Sequence, residues 1–209
     1  ADYGDCLAIV RERVFPERQQ NPDAKLRKFW WRYQRPRPGL ISAIAGRRDV
    51  LVKGELANLH SFGILPTDYI FSNTMCVFCV DPSLFSILQS TLHEIWVVQF
   101  GATMKKDQRY SLSDCFETFP FPIDAQLSEA IGKTYFNTRK AIMIEQQEGL
   151  TKTYNRFHDQ GEQSEDIARL RALHVEMDQA VAAAYGWSDL DLGHGFHATK
   201  QGERYTLSE

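Results

Sequence analysis

Apolar residues recur at three- and four-residue intervals over the first part of the chain and again over its last third, and in between they fall into short runs. The first spacing predicts a helix over 6–20, with Leu7, Ile9, Val10 and Val14 on its apolar side, and a second over 23–33, started by Asp23. Two prolines in Arg35-Pro-Arg-Pro-Gly39 restrict the residues before them and predict an extended or turned link, followed by a short helix over 40–45 that ends at Gly46. Runs at 50–53, 58–64, 68–72 and 76–80 are β-branched or aromatic and are punctuated by Gly54, Gly63, Pro66 and Asn73, so they predict three or four strands of a mostly antiparallel sheet. Asp81-Pro82 is a helix start, and Leu84, Ile87, Leu88, Leu92, Ile95, Trp96 and Val98 make the following helix, to about Phe100, apolar over a wide arc. That helix is expected to lie buried on the sheet and to stop at Gly101.

Residues 101–115 read as a polar loop with a short strand piece near 109–112, and 115–122 as an aromatic, proline-rich strap. Beyond Pro122 the pattern turns helical at 125–147 and 164–185, with a loop at 149–161 and a short strand near 204–207. In the second helix Ile167, Leu170, Leu173, His174, Met177, Val181 and Ala184 form one stripe. The expected class is α+β: a small, mostly antiparallel sheet with packed helices over 1–122, then a helical support segment with a short tail over 123–209.

Composition adds little until it is resolved along the chain. With 209 residues, 43% hydrophobic and 24% charged, the protein has an ordinary globular balance and can bury a core without staples. It lacks a run of eighteen apolar residues and begins without a basic-then-apolar leader, so neither a membrane span nor a signal peptide is expected. Cys6, Cys76, Cys79 and Cys115 are too sparse for a disulfide scaffold. The Cys76/Cys79 spacing falls in an apolar run with no second ligand pair, so free thiols are expected rather than a zinc site, in a reducing compartment such as the cytoplasm.

Charge is distributed unevenly. The net value is −3, yet residues 11–53 hold twelve Lys or Arg against four acids, a local +8, which leaves −11 on the remainder. Phe29, Trp30, Trp31 and Tyr33 sit among those cations. Rings that pack inward would stiffen the arginines beside them, which suits a polyanion-binding face; a solvated helix surface is the plainer alternative.

Several motifs, in order, resemble one family. They are Arg11-Glu-Arg with Trp30-Trp31 and Arg35-Pro-Arg-Pro38, His93-Glu-Ile-Trp96, Arg109-Tyr-Ser111 and Phe116-Glu-Thr-Phe-Pro-Phe-Pro122. Gly149-Leu-Thr-Lys-Thr-Tyr-Asn155, Leu170-Arg171, His174, Met177-Asp178 and Ala184-Tyr-Gly-Trp187 complete the set. Together they resemble the C-terminal target-recognition region of bacterial adenine-specific DNA methyltransferases, the MmeI-like (type IIL) restriction–modification enzymes and their phage-defence relatives. The resemblance implies a chain that chooses a site on double-stranded DNA, while a separate methylase domain binds S-adenosylmethionine and methylates a flipped adenine. Consistent with that division, no glycine-rich turn follows a strand, and Asn21-Pro22-Asp23-Ala24 lacks the second proline and aromatic of an adenine-receiving motif. No catalytic residue, metal, small-molecule substrate or cofactor is therefore expected in this fragment itself.

Base readout needs groups that reach groove edges: Arg or Lys for guanine, Asp or Glu for cytosine, Asn or Gln for adenine. Thr103-Met-Lys-Lys-Asp-Gln-Arg109 carries all three kinds. In the resembled family specificity residues lie just before Arg-Tyr-Ser, which implies Lys105, Asp107 and Arg109, with Lys106 and Gln108 as lesser candidates. Arg35, Arg37, Arg47, Arg48 and Lys53 are candidate phosphate contacts. Asn58 and His60, with Lys53 and Ser61, form a second group near the strand ends, equally readable as a polar sheet face. Tyr154 and Asn155 either touch DNA or lock their loop to the first domain. His93 and Glu94, on the buried helix, read as structural. Two other readings stay open: a protein-interaction or scaffold module using the helical stripe, and a small enzyme using His60, His93 or a cysteine.

Overall fold

The computed structural model describes residues 3–104 and 107–208, and it divides into two compact units, 1–45 and 46–209. The first holds three helices, α1 (Gly4–Gln19), α2 (Ala24–Lys28) and α3 (Pro38–Ile44). Asp23 caps α2 by accepting the Lys25 N–H at 2.8 Å, as its sequence position implies. The predicted continuation to residue 33 does not form. At Phe29 the backbone leaves the helical region, and Phe29, Trp30 and Trp31 stack edge-on with each other and with Phe15. Packing of three consecutive rings outweighs a helical preference that is weak for aromatics. Leu26 is buried in this unit, whereas α1 buries no residue.

The second unit is built on β1 (Asp49–Gly54), flanked antiparallel by β2 (Gly63–Pro66) and β3 (Met75–Phe78). Val50, Leu51, Val52 and Lys53 are all buried, so β1 is covered on both faces, as a central strand in a layered fold must be. Residues 58–62 stay irregular, and so do 68–72 after a turn at 67–68, in place of the predicted strand. The predicted helix after Asp81-Pro82 is interrupted. A 3-10 turn leads into α4 (Phe85–Gln89), and Ser90 breaks the chain before α5 (Thr91–Phe100). Ser90 is extended, and its hydroxyl accepts the His93 N–H while the Asp178 carboxylate accepts that of Thr91 at 2.8 Å. An apolar periodicity that continues through a serine does not reveal that the serine serves as a cap.

After α5 come β4 (Ala102–Met104) and β5 (Asp107–Arg109), a π-type turn over Leu112–Phe116 in place of the extended strap, and α6 (Glu129–Glu145). The expected loop contains α7 (Leu150–Phe157), and α8 (Glu165–Ala184) follows its predicted bounds closely. A hairpin, β6 (Gly195–Thr199) and β7 (Gly202–Thr206), ends the described chain. Mixed helices with a small antiparallel sheet make the fold α+β.

A boundary near Pro122 finds no counterpart in these units, because one core draws on both sides of it: Leu51, Phe62, Phe78 and Phe85 with Tyr135, Ile142, Tyr154 and Leu170. Buried Arg139 of α6 ties the halves together. Its guanidinium donates to Gln89 Oε1 at 2.9 Å, to the Tyr154 hydroxyl at 2.8 Å and to the Phe62 carbonyl. Among the described residues all four cysteines are free thiols, and no helix is long and apolar enough to cross a membrane.

Candidate nucleic-acid interface

The segment singled out in the sequence is a hairpin rather than a loop. Ala102 pairs with Arg109, Thr103 with Gln108 and Met104 with Asp107. Lys105 and Lys106, which follow β4 and precede β5 in the sequence, lie outside the described residues, and so does the side chain of Asp107. Three contacts hold this hairpin against the sheet. Leu56 bridges to Arg109, the Ala57 N–H donates to the Gln108 carbonyl at 3.3 Å, and the Tyr110 N–H donates to the Glu55 carbonyl at 2.8 Å. Residues 55–57, which continue from β1, thus run alongside β5.

Strand alternation puts neighbouring side chains of β5 on opposite faces. Gln108 turns inward, and its amide donates to the Val97 carbonyl at 3.0 Å and the Ala102 carbonyl at 3.2 Å, closing the C-terminal end of α5. Gly101 makes that turn possible, since a Cβ there would stand 2.5 Å from the Val97 oxygen and 2.6 Å from the Gln108 amide nitrogen. Gln108 is therefore committed to the scaffold and is not free to read a base. Arg109 turns outward. Its side chain is 47% exposed, and Nε and Nη2 each reach Glu55 Oε1 at 3.0 Å. One edge of the guanidinium is held and the rest faces solvent, a geometry that fixes direction without using up the donors.

Beneath the hairpin the next residue, Tyr110, is buried, with its hydroxyl 2.9 Å from His93 Nε2. Burial pushes the His93 pKa down to about 3, so the imidazole is neutral and structural, although its Nδ1 has no partner among the described residues. Half-buried Glu94 is pushed up to about 7 by the same desolvation, opposed by Lys53.

Lys53 cannot contact a phosphate from where it stands. Only 4% exposed, it donates to the Leu59 carbonyl at 3.1 Å and lies 5.5 Å from the ring centres of Phe62 and Tyr110. Burial lowers its pKa to about 8. It is the fourth consecutive buried residue of a strand covered on both faces, a place where burial calls for an apolar side chain, so the sequence pattern gave no warning. His60 is likewise turned in, its Nε2 2.7 Å from the Leu88 carbonyl, and burial holds its pKa well below the usual imidazole value. Asn58 stays exposed. Between these residues and α5 lies a cavity of about 10 Å³, lined by Lys53, Asn58, His60, Glu94, Gln108 and, from the terminal hairpin, Gln201.

Tyr154 is also no surface contact. It is 3% exposed and bonded through its hydroxyl to Arg139 and Tyr135, whereas Asn155, next to it on α7, is exposed. The neighbouring Arg156 is engaged by Glu148, Glu162 and Asp166 at 2.9–3.0 Å. Of the four candidate arginines, Arg35 and Arg37 belong to the first unit, where Arg35 is exposed and Arg37 half-buried at a positive φ of 50°. Arg47 and Arg48 are exposed at the start of β1, whose other end leads to residues 55–57, so the strand separates them from the β4–β5 hairpin by roughly 17–20 Å.

Comparison with known proteins bears on the same segment. Residues 52–123 match the family model of the MmeI target recognition domain. Over 61 residues the chain is 38% identical to DNA methyltransferase A of Bacillus subtilis (strain 168), a stretch that is 29% of this chain and 7% of that protein. The solved structure of the type IIL restriction-modification enzyme MmeI in complex with DNA shares the fold at a TM-score of 0.57 and 19% identity, over 87% of this chain and 24% of that one. The chain thus spans a small fraction of the length of the proteins it resembles.

Proposed function

We propose that this chain reads the sequence of double-stranded DNA as the target-recognition region of an adenine-specific DNA methyltransferase of the restriction–modification or phage-defence kind. One observation carries the reading: the segment that matches the MmeI target recognition domain holds Arg109 outward on a hairpin, oriented by Glu55 and backed by a rigid core. A guanidinium oriented from one edge keeps donors for the O6 and N7 acceptors of guanine in the major groove. Lys105, Lys106 and Asp107, which precede Arg109 in the sequence, supply the remaining readout chemistry, and Arg35, Arg37, Arg47 and Arg48 supply phosphate contacts that set register without reading sequence.

S-adenosylmethionine belongs, on this reading, to a methylase domain elsewhere in the protein. The cavity between Lys53 and Glu94 does not fit it, since about 10 Å³ takes roughly one water. No chemical step is assigned to these residues; their task is to choose the site before the adenine leaves the stack.

The test is selection of bound duplexes from a randomised DNA pool by the full-length protein, followed by sequencing of modified adenines in treated DNA. The native protein is expected to yield one short motif that coincides in both assays, and Arg109→Ala to lose preference at one base pair. A protein that selects no motif, or an Arg109→Ala variant with the motif intact, overturns the assignment. Retention of a protein partner with no DNA bound would favour the scaffold reading.

A further inference from the structure

Leu56 was not among the candidates in the sequence, yet register sets it beside Arg109 on the face that Arg109 presents. We infer that Leu56 is a second specificity residue, whose side chain meets the C5-methyl group of a thymine in the base pair next to the one that Arg109 reads. The inference rests on the DNA-reading function proposed above and names a further feature of the duplex that the same site recognises.

The placement follows from backbone pairing. Leu56 and Arg109 form an antiparallel bridge, closed by the Ala57 N–H donating to the Gln108 carbonyl at 3.3 Å and the Tyr110 N–H donating to the Glu55 carbonyl at 2.8 Å. These bonds flank the pair instead of joining it. Such pairs are the close kind, with Cα atoms about 4.5 Å apart and both side chains on one face of the sheet. On its other side Arg109 pairs with Ala102. Ala102, Arg109 and Leu56 therefore form one row across β4, β5 and the segment after β1, and all three are exposed.

The neighbours of the row confirm its face. Ala57, next after Leu56, lines the small inner cavity together with Gln108, next before Arg109. The alternation that turns Ala57 and Gln108 inward leaves Leu56 outward with Arg109. The backbone that carries Leu56 is held from both sides, because the Glu55 N–H donates to the Thr74 carbonyl at 2.9 Å while residues 55 and 57 bond to β5. A side chain fixed at its root costs little further ordering when it meets a ligand.

A single exposed leucine needs no explanation on an ordinary surface. This one is 47% exposed beside a guanidinium aimed at a groove. Base pairs succeed each other at about 3.4 Å, so a side chain rooted about 4.5 Å from Arg109 meets the neighbouring pair. Of the four bases only thymine presents a methyl group in the major groove, and burying it against leucine removes apolar surface from water. Leucine has no donor or acceptor, so the polar groups that guanine, adenine or cytosine present at the same place would lose water without gaining a partner.

Duplex selection by the full-length protein is expected to return a thymine next to the base pair whose preference is lost in Arg109→Ala. Replacing that thymine by deoxyuridine removes the methyl group alone and should weaken binding of the native protein about fourfold, the worth of one buried methyl. In Leu56→Ala, whose folding thermal melting will show, the thymine and uracil duplexes should bind alike while the pair read by Arg109 keeps its preference. A motif without thymine at either neighbouring pair, or a native protein that binds both duplexes equally, overturns the inference. So does a Leu56→Ala protein that relaxes preference only at the pair of Arg109, since Leu56 would then serve only to pack against the arginine. If Arg109→Ala leaves the motif intact, the DNA-reading assignment of the hairpin itself fails.

Discussion

Arg109 and Glu55 meet through two contacts of 3.0 Å, Nε and Nη2 to one carboxylate oxygen, across the seam where residues 55–57 run beside β5. The pair is partly exposed, with 47% and 34% of the two side chains accessible, so its contribution to stability is small, about 0–1 kcal/mol. Its consequence is directional: it aims a guanidinium that is otherwise free to turn. Glu55→Gln is accordingly expected to leave the unfolding midpoint nearly unchanged and to weaken discrimination at the base pair that Arg109 reads, by less than Arg109→Ala does. Denaturant unfolding together with competition between single-base-pair variants of the selected duplex checks both halves.

Arg139 carries the opposite balance. Buried to 2% exposure, it satisfies the Gln89 amide oxygen, the Tyr154 hydroxyl and the Phe62 carbonyl, three groups from three segments. Arg139→Leu would leave the Phe62 carbonyl without its donor, while Gln89 Oε1 keeps the Phe62 N–H and the Tyr154 hydroxyl keeps Tyr135, so the loss should be about 1–3 kcal/mol for the one buried unsatisfied group. A urea titration should show a large drop in midpoint. Arg139→Lys is expected to rescue little of it, because a single ammonium cannot reproduce the planar fork.

Acid should unfold the protein early. His93 and His158 are both pushed down to about 3, chiefly by burial, and His60 also lies well below its usual value. A histidine with a depressed folded-state pKa contributes stability that is fully present above about 6.5, its unfolded value, and is lost as pH falls from there towards 3, because the unfolded chain takes up the proton first. Each such group removes up to about 1.4 kcal/mol per pH unit in that window. Glu94, raised to about 7, acts the other way: its contribution is present below about 4.5 and is lost as pH rises through 7. With His174, also lowered by burial, four groups against one leave a net loss of a few kcal/mol between about pH 6.5 and 5. Unfolding free energies measured across that range should fall with pH, and His93→Gln should make the fall shallower.

Arg47 and Arg48 are exposed at the end of β1 away from the hairpin, and Arg48 has only a 3.6 Å contact with Asp49. As phosphate contacts they should act on affinity and not on motif. Arg47→Ala/Arg48→Ala is expected to reduce the salt slope by about 2 and to leave the selected sequence unchanged. A native slope with native affinity would remove these two residues from the interface.

Gln108 and Arg109 show how far one line of sequence reaches. Both are long, polar and adjacent, and residue type admits both as base readers. The difference is a matter of face, and face depends on the hairpin register and on Gly101 bringing the Val97 carbonyl within reach of one amide. Lys53 and Tyr154 show the same limit from the other side, since a polar side chain on a buried face leaves no mark in the apolar pattern.

Elements governed by neighbours along the chain were legible without coordinates: the stripe of α8, the Asp23 cap of α2 and the antiparallel runs at 50–53 and 76–80. Periodicity and capping are local, encoded within a few residues. Contacts between distant residues were not legible. Asp178 caps α5 from α8, Arg139 joins residues on either side of Pro122, and the Lys200–Gln201 turn comes to the same small cavity as Gln108. Each depends on which faces the core brings together, and no short window of sequence contains that information, because burial is set by the sum of all the elements at once.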